Sequence, residues 1–528
     1  MSRFDWLSEL IARCEEEHIL FHGGSARELA PAHVLHIDIE DWGKFAVIAA
    51  EQQTRWCAVW AVQQDEETLL MNACFEKQGD YLVIRAPLDI HSPVLPSQAP
   101  VFPAANRPER HSQDMFGVMF GNHPDSRRWI RHQAWDEEVF PLRKDIRMAH
   151  SDQVAPADTY YPFFQAQGSG VYEIPVGPVH AGIIEPGHFR FQAVGETILN
   201  LEERLGYVHK GIEKIAEGRD AEGLAKLAGR ISGDTTVAHT WCACMAMERA
   251  ANVAVPRRAI YLRALLAERE RVANHLGDIG AICNDVGFAF ANSQFSRLRE
   301  IWQRTQMTLF KHRLLMDTII PGGVKVDVSS QQIETLTRQH TVIKTELDAL
   351  MAILNDHASL EDRLVSAGHL SHELATKLGV VGYLAKASGV DYDLRRDHAY
   401  APYDRMNIDS PCYQQGDVAT RLQVRADEII HSLILMDTLL QQLPDGDIAN
   451  TWKPPVAICE GLGMVEAWRG EIISYVQFDA TGKISRFYAR DPSWLNWPAL
   501  EQLIDGNIVP DFPVCNKSVN GSYSGHDL

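Results

Sequence analysis

Long segments with helical periodicity in the second half of the chain constrain its fold more than any other feature. One spans residues 259–283, and apolar residues at helical spacing continue over 333–354 and 418–433. The apolar face of the first segment consists of Leu265, Val272, Leu276 and Ile279. Apolar side chains that recur every three to four residues form one stripe along a helix, which is buried against neighbouring helices. These segments therefore predict a helix bundle.

The first part of the chain has a different pattern. After one amphipathic segment, with Leu7, Leu10, Ile11 and Cys14 at helical spacing, four runs are typical of strands: HVLHIDIE, WCAVWAVQ, TLLMNACFE and YLVIRAPL. The last two flank the turn KQGD, which indicates a hairpin. The sequence thus predicts an α+β fold with an N-terminal α/β domain (1–146), a linker (147–168) and a mainly α domain (169–528). Peripheral β-hairpins are expected on the second domain, one of them turning at Gly482.

Composition excludes several classes of protein. The chain has 528 residues and a formal charge of −20, with 45% apolar residues. This length predicts two or more domains, and the acidic balance argues against nucleic acid as a partner. There is no apolar run of about 18 residues and no signal-peptide pattern at the start, so we expect a cytoplasmic chain that does not span a membrane.

The nine cysteines do not form a metal-binding pattern. None of them is part of a CxxC pair, and only Cys242 and Cys244 lie close together, in an apolar helical stretch. An iron–sulfur or tetrahedral zinc site needs about four thiolates at suitable spacing. The spacing favours reduced, structural cysteines.

One polar stretch interrupts the apolar pattern. In GRISGDTTVAHTWCAC (229–244), seven polar or glycine residues precede a helical segment. They are Arg230, Ser232, Gly233, Asp234, Thr235, Thr236 and His239. Two interpretations remain open from the residues alone: a helix cap, in which Ser232 or Asp234 accepts backbone hydrogen bonds, or a reaction centre.

A dense motif in the first domain is similar to one of a known family. RPERHSQDMFGVMFGNHPDSRRWI followed by FPLRKD resembles the signature of the C subunit of respiratory complex I. The matching residues are Glu109, Arg110, Asp114, Met115, Phe116, Gly117, His123, Pro124 and the run 141–145. Asn122 is a one-residue insertion relative to the family pattern. The resemblance implies a structural and docking module.

The second domain resembles the D subunit of complex I and the large subunit of energy-converting [NiFe] hydrogenases. The similar motifs, in family order, are GPVHAG, LGYVHKGIEK, RVANHL, ASGVDYDLRR, GDVATRLQVRADEIIHS and EAWRGE. Fusion of the two domains and the longer loop GPVHAGIIEPGHFRF resemble the formate hydrogenlyase type. Arg395, Glu466, Arg469 and Glu471 match charged family positions, for which a structural role is expected.

The four ligands of a [NiFe] centre are missing. The family holds its metals with two CxxC pairs, and these positions fall on Ser232 and Thr235 and on Ser493 and Asn496. Hydroxyl and amide groups do not replace thiolates for nickel and low-spin iron. We therefore expect no metal and no cofactor bound by this chain, and a remaining pocket lined by these four residues.

A quinone pocket is the alternative that the resemblance implies. Complex I holds quinone with a tyrosine, whose position reads Leu227, and with a histidine of the first hairpin loop, for which His180 and His188 are candidates. The buried acid of the family motif falls on Asp285. Asn274, Asp278 and Asp285 share one side of a helix, which periodicity alone interprets as a solvated face. Glu185 is the loop carboxylate expected to carry protons if it is buried, and an exposed loop acid otherwise.

The resemblance implies a fused C/D-type subunit of an oxidoreductase complex, active only within that complex. It predicts a [4Fe-4S] cluster in a partner small subunit of the B type, and antiporter-like and H-subunit-like membrane partners. The expected location is the cytoplasmic side of the cell membrane. Glu185, His188 and Asp285 are the predicted proton or quinone residues. Two alternatives stay open: a hydrogenase with an altered centre, and a non-catalytic scaffold.

Overall fold

The computed structural model describes residues 5–24, 28–132, 138–146, 161–180 and 184–528. The described N-terminal part contains a four-stranded mixed sheet, a two-stranded parallel sheet and three helices. Its helices are α1 (Asp5–Glu16), α2 (Trp42–Glu51) and α3 (Asn106–Phe116). Its strands are β1 (His33–His36), β2 (Arg55–Gln63), β3 (Thr68–Lys77), β4 (Asp80–Asp89), β5 (Val94–Pro96) and β6 (Met119–Gly121).

The main sheet confirms the strand predictions. Its order is β1-β4-β3-β2, with β1 parallel to β4 and the other pairs antiparallel. The run HVLHIDIE is a strand only over its first half, because the chain turns into a short 3-10 helix at Ile39–Asp41 that leads into α2. The α+β class expected for the N-terminal part is confirmed.

The second domain begins with a three-stranded sheet and continues as helices. The sheet comprises β7 (Tyr172–Val176), β8 (His188–Val194) and β9 (Thr197–Arg204). The following helices are α4 (Ile212–Ala216), α5 (Ala221–Ala228), α6 (Thr236–Ala250), α7 (Arg257–Asp285) and α8 (Ala289–Phe310). After the two-residue strands β10 (Ile319–Ile320) and β11 (Gly323–Val324) come α9 (Ser330–Asn355), α10 (Ala358–Leu364), α11 (His372–Leu378), α12 (Gly382–Ala387), α13 (Leu394–Asp397) and α14 (Val418–Gln441).

A second three-stranded sheet and three helices complete the domain. They are β12 (Cys459–Ala467), β13 (Gly470–Phe478), β14 (Ile484–Arg490), α15 (Ser493–Leu503), α16 (Phe512–Val519) and α17 (Tyr523–Asp527). The predicted hairpin turn contains Gly482 with φ +78°, a conformation that favours glycine. Helix α6 lies directly on β12, since a Cβ at Gly463 would come within 2.1 Å of the Cys242 carbonyl oxygen.

Helix α7 is the centre of the bundle. It packs against α8, α14 and α16, and its side chains are buried over most of its length. Asn274 and Asp278 are each only 7% exposed. The interpretation of their side of the helix as a solvated face is therefore wrong, because neighbouring elements cover α7 on all sides and the polar groups find partners inside the protein.

The N-terminal and C-terminal parts of the chain contact each other through buried charged and aromatic residues. Arg55 on β2 contacts Glu471 on β13, with 2.8 Å between Nη2 and Oε2, and Tyr81 on β4 donates to the same carboxylate. Trp60 stacks on Tyr488 with ring centroids 5.4 Å apart. The linker prediction falls largely on residues outside the described ranges, and the division into two domains stays a prediction. In the described part of the chain, no helix is both long and apolar enough to cross a membrane.

Candidate functional site

The polar stretch 229–235 forms a loop between α5 and α6, and its centre is an ion pair. Asp234 receives two hydrogen bonds from Arg469, at 2.9 and 2.7 Å. Arg469 lies in the tight turn between β12 and β13 and is stacked on its neighbour Trp468. Partial burial of Asp234 opposes its ionisation, but the Arg469 guanidinium more than offsets this, so the pKa of Asp234 lies below its ordinary value.

Ser232 and Thr235, at the first pair of family ligand positions, are both bonded to this ion pair. Ser232 Oγ donates to Asp234 Oδ1 at 2.6 Å, and Thr235 Oγ1 donates to the same oxygen at 3.0 Å. Thr235 Oγ1 also accepts from Arg469 at 3.1 Å. Both side chains are buried. Their hydrogen-bonding capacity is thus used within the protein.

Ser493 and Asn496, at the second pair of ligand positions, lie in the first turns of α15. Ser493 Oγ accepts from the Ser522 N–H at 2.8 Å, and Ser522 Oγ lies 2.9 Å from Ser232 Oγ. Asn496 Oδ1 accepts from the Val381 N–H at 3.0 Å. The structure therefore brings the four predicted positions together around Ser522 and Arg469, as the sequence motifs predicted.

The predicted open pocket is not present in that form, because residues 520–528, here called the inserted segment, lie in it. Asn520 O accepts from Arg469 Nε at 2.7 Å, and Asp527 accepts from the N–H groups of Gly206 and Val208 at 2.8 and 3.0 Å. The ring of His526 stacks on Trp494 at 4.2 Å. Most of these side chains are fully buried, which sequence patterns could not reveal because the segment is short and aperiodic.

A [NiFe] centre does not fit this site. The four positions provide hydroxyl and amide groups that are already hydrogen-bonded, and thiolates are absent from them. Burial raises the pKa of Cys242 in α6 to about 12, so this neighbouring thiol stays protonated. No group of three potential metal ligands is found anywhere in the described ranges.

The hairpin residues lie at the edge of the site. His180 Nε2 donates to the Gly187 carbonyl oxygen at 2.8 Å. His188 is 8% exposed, its Nδ1 donates to the Gly177 carbonyl oxygen at 3.3 Å, and its Nε2 has no hydrogen-bond partner among the described residues. Burial lowers the pKa of His188, so its imidazole is neutral at neutral pH and Nε2 carries the lone pair.

Glu185 is exposed and not buried in a pocket. It nevertheless contacts the inserted segment, since Glu185 Oε2 accepts from the Ser524 N–H at 2.9 Å. Tyr523, a residue that the motifs did not indicate, packs against Gly187. Gly187 lies between Glu185 and His188 in the sequence. A Cβ on Gly187 would come within 2.5 Å of the Tyr523 ring.

Asp285 lies away from the four ligand positions. It is the last residue of α7, and Asn274, eleven residues earlier, is the one that donates to the Asp234 carbonyl oxygen at 2.7 Å. At 1.5 Å per residue the two are about 16 Å apart along the helix. Asp285 is half-buried, and burial raises its pKa. The structure does not place it in the predicted cavity.

Asp278 is the α7 acid beside the site. Its carboxylate accepts from Arg425 Nε at 3.1 Å and from Asn520 Nδ2 at 2.9 Å. Because Asp278 and Asp285 share the same side of α7, helical spacing alone did not distinguish them. Asp278 belongs to the site because Asn520 of the inserted segment donates a hydrogen bond to its carboxylate.

A second group of buried charged residues surrounds Glu268 and Arg271 on α7. Glu268 accepts from Arg395 at 2.9 Å and from Arg271 at 3.2 Å, and both cations are buried. Lys386 bridges Asp393 and Glu428 at 2.7 Å each. Burial, followed by the charge of Asp393, raises the pKa of Glu466 to about 8. The structural role expected for Arg395 fits this placement.

Three family models together match most of the chain. The model for the 30 Kd subunit of respiratory-chain NADH dehydrogenase matches residues 35–152. That for the 49 Kd subunit matches 285–460 and 450–527, and that for nickel-dependent hydrogenase matches 210–277. The fold and these matches thus define a region of the complex I 30 Kd type fused to a region of the complex I 49 Kd and nickel-dependent hydrogenase type.

Individual relatives support the same assignment. Formate hydrogenlyase subunit 5 and hydrogenase-4 component G, both of Escherichia coli (strain K12), are each 32% identical over 85% of this chain, covering 79% and 78% of their own lengths. The fused C/D subunit of the NADH-quinone oxidoreductase of Phocaeicola vulgatus is 28% identical over 73% of this chain and 77% of its own length.

A solved structure is also similar. It is a chain of the membrane-bound sulfane sulfur reductase, an archaeal respiratory membrane complex, with a TM-score of 0.64, 26% identity and coverage of 70% of this chain and 100% of that chain. The present chain belongs to the family of fused C/D-type subunits of complex I and membrane-bound hydrogenases. It is an oxidoreductase subunit of the peripheral-arm type.

Proposed function

We propose that this chain accepts electrons from a [4Fe-4S] cluster of an adjacent small subunit and couples their transfer to proton movement without nickel. The complex would lie on the cytoplasmic side of the membrane, with antiporter-like and H-subunit-like membrane partners. The observation that carries the proposal is the replacement of all four ligands by Ser232, Thr235, Ser493 and Asn496, each locked by hydrogen bonds. Soft metals have no thiolate to bind there.

A small redox carrier, with a quinone as the first candidate, is the proposed electron acceptor. Its head group would lie at the hairpin end, where His188 offers a buried Nε2 lone pair. Leu227 offers no hydroxyl at the position where the family has tyrosine. A bound quinone would supply two-electron, two-proton redox chemistry. The role of His188 is to accept a hydrogen bond or a proton at Nε2.

Two acids are proposed to move protons away from the hairpin end. Glu185 is exposed and anchored to the inserted segment through the Ser524 N–H. Asp285 is half-buried at the end of α7, where burial raises its pKa. If Glu185→Gln and Asp285→Asn both leave ion translocation by the complex unchanged, this coupling role is wrong.

Reoxidation of the reduced complex tests the electron path. The complex is purified through the full-length chain and reduced chemically, and the cluster is followed by electron paramagnetic resonance after a water-soluble quinone is added. His188→Ala is expected to slow reoxidation by roughly tenfold. His180→Ala is the matched control, since His180 already donates to the Gly187 carbonyl oxygen and should have a smaller effect. Equal rates in wild type and His188→Ala would contradict the proposed quinone contact.

A non-catalytic scaffold is the second candidate, and one observation favours it. The inserted segment occupies the space between Ser232 and Ser493, so no substrate can contact those two residues without displacing Ser522. A scaffold predicts that quinone reoxidises the cluster equally well in the wild type and in every hairpin variant. Reduction of the cluster by hydrogen gas would instead identify a hydrogenase.

A further inference from the structure

The N-terminus of α6 is capped by a side chain of another helix. Neither Ser232 nor Asp234 accepts a hydrogen bond from the first backbone N–H groups of this helix, and the N-cap residue Thr235 makes no side-chain cap. Glu270 on α7 does so: its Oε1 accepts from the Val237 N–H at 2.7 Å and its Oε2 from the Ala238 N–H at 3.2 Å. The cap predicted within the polar stretch is therefore supplied by another helix.

Glu270 has no counter-ion. It is 6% exposed, and among the residues that the structure describes no basic side chain pairs with it. The charges that face it are Asp234 across the loop, which is paired with Arg469, its neighbour Arg271 on α7, and Arg313 from the loop after α8. Burial raises the pKa of Glu270 to about 8, and the nearby Asp234 charge adds to this.

A small polar pocket lies beside Glu270 and opens toward solvent. Its volume is about 10 Å³, which is room for the centre of one water molecule. Residues of the loop, of α7 and of α8 line it, namely Gly233, Asp234, Glu270, Asn274, Gln303 and Gln306. At its outer end are the exposed Gly233 and the half-exposed side chain of Arg313.

One atom of the pocket wall indicates a ligand. Gln306 is 1% exposed, and its Oε1 has no hydrogen-bond partner in the described ranges, while its Nε2 lies 3.4 Å from the Arg269 carbonyl oxygen. A buried amide oxygen without a donor costs free energy unless a small donor reaches it. Water is the donor that a space of this size admits.

We propose that Glu270 and this pocket form a proton-exchange site, in which one water molecule held between Glu270 and Gln306 transfers a proton between the Glu270 carboxyl group and solvent. A hydronium ion at the mouth of the pocket gives its proton to the bound water, which gives one to the carboxylate. No bond other than O–H forms or breaks, and no oxidant is needed. Because Asp234 lines the same pocket, the exchanged proton arrives beside the former ligand positions.

The proton-exchange site depends on the proposed function only for the use that the complex makes of the proton. The physiological use of this proton rests on the proposed coupling, whereas the exchange itself needs neither a carrier nor turnover. Failure of the exchange test therefore does not bear on electron transfer, and failure of the quinone test does not bear on Glu270.

Infrared difference spectroscopy of the purified complex tests the site directly. Wild type minus Glu270→Gln should show the C=O stretch of one protonated carboxylic acid at about pH 6, and lose it at about pH 9.5. On transfer to D₂O the band should shift at the rate of mixing. Gln306→Leu should keep the band but slow the shift by roughly tenfold, because exchange then needs local opening of the structure.

Two results would overturn the proposal. Absence of the band at about pH 6 would show that Glu270 is ionised, and an equally fast shift in Gln306→Leu would show that the pocket is not the path. Should Glu270→Gln not fold, the comparison of wild type with Gln306→Leu decides between the same outcomes. The matched control is Gln339→Leu on α9, a glutamine outside the pocket that should leave both band and rate unchanged.

Discussion

Glu268 and Glu270 lie two residues apart on α7 and are both buried, yet their surroundings shift their pKa values in opposite directions. Glu268 is held by Arg395 and Arg271 and by the hydroxyl groups of Ser432 and Tyr403. Burial opposes its ionisation, but these cations outweigh burial and lower its pKa. Glu270 receives only two backbone N–H groups, so burial dominates and its pKa rises to about 8. A buried acid with counter-ions is structural, whereas one without them holds a proton.

Removal of the paired charge gives the largest expected effect. Glu268→Gln removes the carboxylate that Arg395 and Arg271 share and leaves them with Asp393 and Glu428 alone, so it should lower the free energy of unfolding by about 3 kcal/mol. Glu270→Gln leaves one backbone N–H of the α6 cap facing an amide NH2 group instead of an acceptor oxygen, and should lower it by about 1 kcal/mol at neutral pH. Denaturant unfolding measures both values, and similar losses would contradict the assigned charge states.

The pH dependence of the free energy of unfolding tests the raised pKa of Glu270. The pKa of Glu270 is raised in the folded state, so its contribution is fully present below about pH 4.5 and is lost as pH rises through about 8. Between pH 6 and 8 the wild type should lose about 2 kcal/mol relative to Glu270→Gln. Unfolding curves at several pH values give this difference, and parallel curves for the two proteins would contradict it.

Two ion pairs of the polar loop extend the comparison between buried and exposed charges: Asp234 with the buried Arg469, and the exposed pair of Arg230 with Asp317. Asp234→Asn deprives the buried Arg469 of its counter-ion and should cost about 1.5 kcal/mol. Asp317→Asn breaks the exposed pair with Arg230 and should cost less than about 0.5 kcal/mol. Thermal unfolding of both variants provides the test, and a larger loss in Asp317→Asn would show that burial does not decide the outcome.

A smaller effect is expected from the hydroxyl groups at the former ligand positions. Ser232→Ala removes the bond to Asp234 and the contact with Ser522, and should lower stability by about 1 kcal/mol. Ser232→Cys tests whether a thiol is tolerated there. If Ser232→Ala proves neutral, the inserted segment does not depend on this hydroxyl.

Much of the fold was predictable because periodicity and resemblance agree. The strands of the first sheet, α7, α9, α14 and the hairpin at Gly482 follow from local patterns. The four ligand positions were assigned from the resemblance, since family motifs fix their order. The surroundings of these positions could not be predicted, because the inserted segment has no periodic pattern. Helical spacing also could not distinguish Asp278 from Asp285, and it could not reveal that Glu270 caps α6. These contacts join residues far apart in the sequence.

The nickel and iron content of the purified complex tests the central claim most directly. The structure predicts no nickel, and iron in the amount held by the clusters of partner subunits alone, because Ser232, Thr235, Ser493 and Asn496 offer no thiolate. Elemental analysis of the complex, purified through the full-length chain, gives both numbers. One nickel per chain would contradict the conclusion that this centre works without the metals of its hydrogenase relatives.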